Sequence, residues 1–307
     1  MPERLFSKAK FDVEHALSMY ATSFVVMPAE CLYDDELVEL LKANTENCHI
    51  YIIGQLPKVD WIGCAEEGGD LILTCEVHAK AYVLKWPMPT GSTLQGNASQ
   101  GWAVVGPDGR RSFPSPDLML RRLNEEHNAL PFEVLYVGQA YGADGSRNAL
   151  DRLQKHETLQ KIAIKSVSEA NRLMLLLLEI TSNRMLTVFN PWAQDRTQSS
   201  ARISQGLDKL FGTSEAERVS LFEAALVRYF QPAYNKIFKD SFPSTNMKLL
   251  ADCYAKDFNA LVAEVCIDEI PFKMFSATVR ADQYHTAFYD LHADPDRKVF
   301  FFGTPTQ

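Results

Sequence analysis

Tyr136, Arg152 and His156 fall within one stretch, FEVLYVGQAYGADGSRNALDRLQKHETLQKI, which sets a phenol, a guanidinium and an imidazole close together in the chain. A guanidinium offers a rigid fork of donors suited to phosphate, and an imidazole exchanges protons near neutral pH. A phenol titrates near pH ~10, so it needs a cation or a second base beside it before it can take a proton from water. Further along, Glu223 interrupts an otherwise apolar turn, LFEAAL, and Asn235 closes the run PAYN. Each residue alone has an ordinary reading. Tyr136 would be a strand-end rim residue, Arg152 and His156 solvated helix residues, Glu223 half of an ion pair and Asn235 a turn residue.

As an ordered set they point further. YVGQ at residues 136–139, Arg152 and His156 four positions apart, Glu223 on a helix, and PAYN at 232–235 resemble the GIY-YIG nuclease superfamily over residues 132–240. The resemblance implies a metal-dependent endonuclease that hydrolyses DNA phosphodiester bonds. Glu223 would be the single metal-binding carboxylate for Mg²⁺ or Mn²⁺, with water and phosphate oxygens completing the shell of a hard cation. Arg152 would hold the phosphate and Tyr136 would activate or orient water. His156 would serve as a second base or as a hydrogen-bond partner of the tyrosine, and Asn235 would hold the end of the Glu223 helix or the substrate. Arg147, Lys155 and Lys161 are the expected DNA contacts in a segment that is net basic within an acidic chain.

The family's first motif, a Gly-Ile-Tyr strand shortly before the Tyr-Val-Gly strand, has no clear copy. The stretch just upstream, LMLRRLNEEHN, reads as a helix, and residues 102–105 or 81–84, with Tyr82, are the two candidates for the missing strand. Two alternatives therefore stay open. A catalytically inactive module that binds nucleic acid or protein predicts Glu223 salt-bridged or buried without space for a hydrated metal. A small-molecule or nucleotide hydrolase predicts Arg152 in a closed pocket.

The positioning elements follow from pattern and punctuation. Residues 132–137 form a buried strand, and residues 148–161 read as one helix with Ala149, Leu153 and Leu159 inward, which places Arg152 and His156 on one helical face. The spacing also predicts helices over 34–43, over 118–127 with Asp117 as N-cap, and over 214–230, where Ser214 and Glu217 have capping-box spacing. The run LMLLLL within 173–180 is a central strand, HIYIIG at 49–54 a short strand, and 70–86 one or two strands. Residues 87–117 read as loop around a short strand at 102–105, Gly138, Gly142 and Gly145 as turn residues, and 193–206 as a polar insert. Strands at 259–267, 272–279, 285–292 and 298–302 end the chain.

The expected class is α+β: a GIY-YIG-like mixed sheet flanked by helices at 117–244, an N-terminal α/β extension at 1–116 and a C-terminal β-rich extension at 245–307. The extensions would select substrate or a protein partner. With 46% apolar and 23% charged residues the chain has an ordinary globular composition. A net charge of −8 excludes bulk electrostatic coating of DNA. Six scattered cysteines form no zinc pattern, and no apolar run approaches the ~20 residues of a membrane span. A cytoplasmic location is expected, in a bacterial or phage setting such as defence, where similar stand-alone nucleases occur.

Overall fold

The computed structural model describes residues 9–141, 149–165, 168–180, 184–243, 247–293 and 297. Its strands are β1 (Val13–Pro28), β2 (Cys48–Pro57), β3 (Asp60–Glu67), β4 (Asp70–Val77), β5 (Lys80–Pro87), β6 (Thr93–Asn97), β7 (Gly101–Val105), β8 (Arg111–Ser112), β9 (Pro131–Gln139), β10 (Asn171–Ile180), β11 (Arg184–Phe189), β12 (Ala260–Cys266), β13 (Lys273–Phe275) and β14 (Tyr284–Asp290). The helices are α1 (Asp35–Thr45), α2 (Pro116–His127), α3 (Ala149–Leu153), α4 (Glu157–Lys165), α5 (Ser199–Gly212), α6 (Glu215–Phe230) and α7 (Lys248–Ala255).

Among the described residues the chain is organised on one eight-stranded mixed sheet in the order β13-β9-β2-β10-β1-β12-β14, with β11 also paired to β1. The α+β class expected from sequence holds at this level. The strand β10 runs between β2 and β1, and its Leu173 to Leu178 are all buried. The run can be continuously apolar because both of its faces are covered: Leu173, Leu175 and Leu177 pack with α3 and α4, while Leu176 and Leu178 pack with α6. The same pairing register joins β1 to β10 and to β11, with Pro28 opposite Met174, Ser23 opposite Glu179, Ser18 opposite Arg184 and Val13 opposite Phe189. Two smaller three-stranded sheets, β3-β4-β5 and β6-β7-β8, together with α2, occupy the connection between β2 and β9.

Several local expectations change. The helix α2 is capped by Ser115, whose side chain accepts the Leu118 amide, with Pro116 opening the helix, so Asp117 lies inside the first turn. Residues 193–206 are not simply a polar insert: α5 begins at Ser199, buries Arg202 and Gly206, and is polar because Arg202 enters a charged network. The last strand expected, at 298–302, lies outside the described residues.

The expected helix over 148–161 is two helices, α3 and α4, separated by a turn. At 100° per residue one straight helix would point Leu153 and Leu159 about 120° apart, yet both are buried in the same cluster against the sheet with Leu150 and Ile162. The turn re-phases the chain so that both pairs face inward. His156 ends the turn and caps α4, its Nδ1 accepting the Leu159 amide at 3.3 Å. Arg152 and His156 therefore sit on successive short elements, not on one helical face.

Candidate active site

The strand hydrogen-bonded along β9 is β2. The two run antiparallel, with Tyr51 opposite Gly138, Ile52 opposite Val137 and Ile53 opposite Tyr136. Neither sequence candidate for a first tyrosine strand occupies this place: residues 81–84 lie in β5 and residues 102–105 in β7, each in a separate small sheet. The residue that sequence reasoning passed over is Tyr51, in IYI of the strand read only as a short β run. Its signal was present, a tyrosine flanked by β-branched residues, but residues 58–130 separate its strand from its partner.

Tyr51 is fully buried and its hydroxyl lies 3.0 Å from Nε2 of the buried His156. Its ring stacks on that of Tyr136 at 6.1 Å between centroids, and His156 packs edge-on to Tyr51 at 5.5 Å and tilted to Tyr136 at 5.2 Å. Arg152, an exposed residue, lies close enough that its positive charge opposes the burial that raises the Tyr51 hydroxyl. Gly138, read from sequence as a turn residue, lies within β9, where its missing side chain makes room for the phenols.

Glu223 comes from α6, which packs against β9. The helix is placed as its sequence suggested, with Ser214 and Glu217 forming the capping box. Glu223 is half-buried beside Gln139, whose Oε1 accepts the Ser220 hydroxyl at 3.3 Å. Burial pushes the carboxyl up to about 7, with Gln139 opposing in part. Among the described residues no cation contributes to that balance. Glu223 also raises the pKa of both tyrosines, although burial is the larger cause at each. Burial followed by Arg152 lowers His156, which favours its neutral form.

Asn235 does not hold the end of α6. Its Oδ1 accepts the Val137 amide at 2.9 Å and its Nδ2 donates to the Val137 carbonyl at 2.8 Å. With the Tyr234 amide on the Leu135 carbonyl at 3.1 Å, the PAYN segment lines the edge of β9 beyond the three residues that β13 covers. The side-chain amide thus replaces a neighbouring strand beside Tyr136.

Tyr136, Arg152, His156 and Glu223 therefore converge, with Tyr51 at their centre and Asn235 bracing the strand behind them. Lys155 and Lys161 are exposed on the turn and on α4; Arg147 lies outside the described residues. Glu223 suits a hard divalent cation, being a poorly solvated carboxylate with no positive partner among the described residues. Among the described residues no three His, Cys, Asp or Glu side chains gather as a metal group, so water and phosphate oxygens would have to complete the shell. No helix among the described residues is long and apolar enough to cross a membrane. No protein-family model, curated protein or solved structure matches the chain.

Proposed function

We propose that the chain is a metal-dependent endonuclease that hydrolyses DNA phosphodiester bonds with GIY-YIG-like chemistry, using Mg²⁺ or Mn²⁺, in a defence setting. The observation that carries this reading is the meeting of two phenols, a guanidinium, an imidazole and one carboxylate that has no cationic partner among the described residues. Phosphodiester hydrolysis needs a base for water, charge on the nonbridging oxygens and stabilisation of the leaving oxygen.

The residues divide those tasks. Tyr136, whose burial keeps its own proton in place, orients the attacking water by accepting a hydrogen bond from it; as the water oxygen bonds to phosphorus, the P–O bond to the leaving sugar oxygen breaks, the water gives up its proton to solvent and the leaving oxygen takes one from solvent. Arg152 holds the phosphate through its guanidinium N–H groups. Glu223 would hold the divalent cation, which would supply positive charge to the phosphate and the leaving oxygen. Lys155 and Lys161 give the flank of the site a local basic character in a chain whose overall charge is −8.

The test is cleavage of supercoiled plasmid and linear duplex with Mg²⁺ or Mn²⁺, beside Glu223→Ala and Arg152→Ala. The expected result is metal-dependent nicking by the wild type, reduced at least ~100-fold in either variant. Wild type that cuts under no metal, or variants that cut equally well, would overturn the reading. Binding of DNA without cutting would favour the inactive module.

A further inference from the structure

His156 sits where an imidazole could act either as proton acceptor or as fixed donor, and the backbone decides between them. The Leu159 amide donates to Nδ1 at 3.3 Å as the N-cap bond of α4. A backbone N–H can only donate, so Nδ1 is the ring's lone-pair nitrogen and, in the neutral ring, Nε2 carries the proton. That Nε2–H faces the Tyr51 hydroxyl at 3.0 Å.

From this geometry we infer that His156 is not a base in this site but a positioning residue: the cap on α4 locks its tautomer, and its Nε2–H donates to Tyr51. The consequence passes along the ring cluster. A phenol oxygen accepts two hydrogen bonds and donates one. Tyr51 accepts from His156, so its own proton is turned away from that ring. Donation therefore runs one way, from Leu159 to His156 to Tyr51, beside the stacked ring of Tyr136. Helix α4 is thereby coupled to the orientation of the two tyrosines, and His156 joins the two through its two nitrogens. This role in cleavage rests on the nuclease reading above, whereas the tautomer does not.

Two side chains separate the nitrogens. Asparagine reproduces the Nδ1 acceptor and is a strong N-cap, but it reaches no further. Glutamine extends an amide N–H to the Nε2 position and gives up the cap. His156→Asn is therefore expected to keep hydrogen-exchange protection at the Leu159 amide and lose at least about tenfold in kcat with KM unchanged. His156→Gln is expected to lose that protection and to keep kcat within about threefold. Equal loss of kcat in both variants, as removal of a base would give, overturns the proposal, as does an active His156→Asn. Imidazole ¹⁵N spectra of the full chain at pH 8 supply the readout independent of cleavage. A neutral Nε2–H ring at His156 is the expected result, and an Nδ1–H ring or a mixture of tautomers overturns it. If wild type cuts no DNA, the nuclease reading fails, while these spectra and the split in Leu159 exchange still decide the tautomer.

Discussion

Gly138 lies directly opposite Tyr51 across the β2–β9 pair, and a methyl group at Gly138 would sit 2.6 Å from the Tyr51 ring and hydroxyl and 2.7 Å from the Tyr136 ring. The glycine of YVG is therefore a space reserved for two phenols. Gly138→Ala should displace Tyr51 from His156, lower stability by ~1–3 kcal/mol through overpacking and reduce cleavage more than binding. Urea denaturation beside cleavage assays checks this; unchanged values in both would show that the phenols have room to shift.

Glu223 makes a pH prediction whose sign is fixed by the direction of its shift. Its carboxyl is raised from the ordinary 4.5 to about 7, so the folded chain holds this proton more tightly than the unfolded chain. The contribution to stability is complete below pH 4.5 and is lost as pH rises through about 7. Glu223→Gln should remove that decline and melt above wild type at pH 8, with little difference at pH 4.5. Mg²⁺ or Mn²⁺ should raise the wild-type melting temperature at pH 8 and leave Glu223→Gln unmoved. Scanning fluorimetry with and without metal reads both effects, and an equal metal shift in the variant would remove Glu223 from the metal site.

Asn235 replaces a strand, so its loss should resemble loss of sheet pairing. Asn235→Ala leaves the Val137 amide and carbonyl without their partner and should cost ~1–3 kcal/mol. Asn235→Asp keeps the acceptor but replaces the donor facing the Val137 carbonyl with a carboxylate oxygen, and should cost at least as much. Hydrogen exchange at Val137 is the direct measurement: protection should fall in both variants, and unaltered protection would show that the clamp is dispensable.

Far from the tyrosines, Glu14, Arg202, Asp257 and Arg297 form a charged network at contacts of 2.7 to 2.9 Å, with the Arg202 guanidinium 4.1 Å above the Phe11 ring. It joins β1, α5 and the segment after α7. Glu14, Arg202 and Arg297 are buried, so replacing one cation strands charge that water cannot reach. Arg202→Met should cost ~3–5 kcal/mol and leave the per-molecule cleavage rate of the folded fraction unaltered. Denaturant melts paired with active-site titration test both halves, and a loss below ~1 kcal/mol would place this network among the weak surface pairs.

The candidate site was legible where chemistry and local structure share one segment. Tyr136 on its strand, Glu223 on a capped helix and Asn235 after its proline stand where residue type and punctuation suggested, because N-caps, prolines and apolar runs act over a few residues. Leu173 to Leu178 likewise identified a central strand, since only an element covered on both faces can remain continuously apolar. Local pattern also carried an error: it read 148–161 as one helix, because the re-phasing of Leu153 and Leu159 is demanded by the sheet beneath them and not by anything between them.

What the sequence by itself determined is thus a list of reactive side chains and the short elements that carry them. Only the tertiary structure decided that Tyr51 belongs to the list, because hydrogen bonding between β2 and β9 ignores the 58–130 connection that separates them in the chain. It also decided the duties of the residues already named. Asn235 binds the backbone of Val137, Gly138 opens space for Tyr51, and the nitrogens of His156 divide between an amide and a phenol. Each of these is a pairing between distant segments, and pairing geometry is fixed by how the sheet and its covering helices pack, a quantity no local run of residues contains.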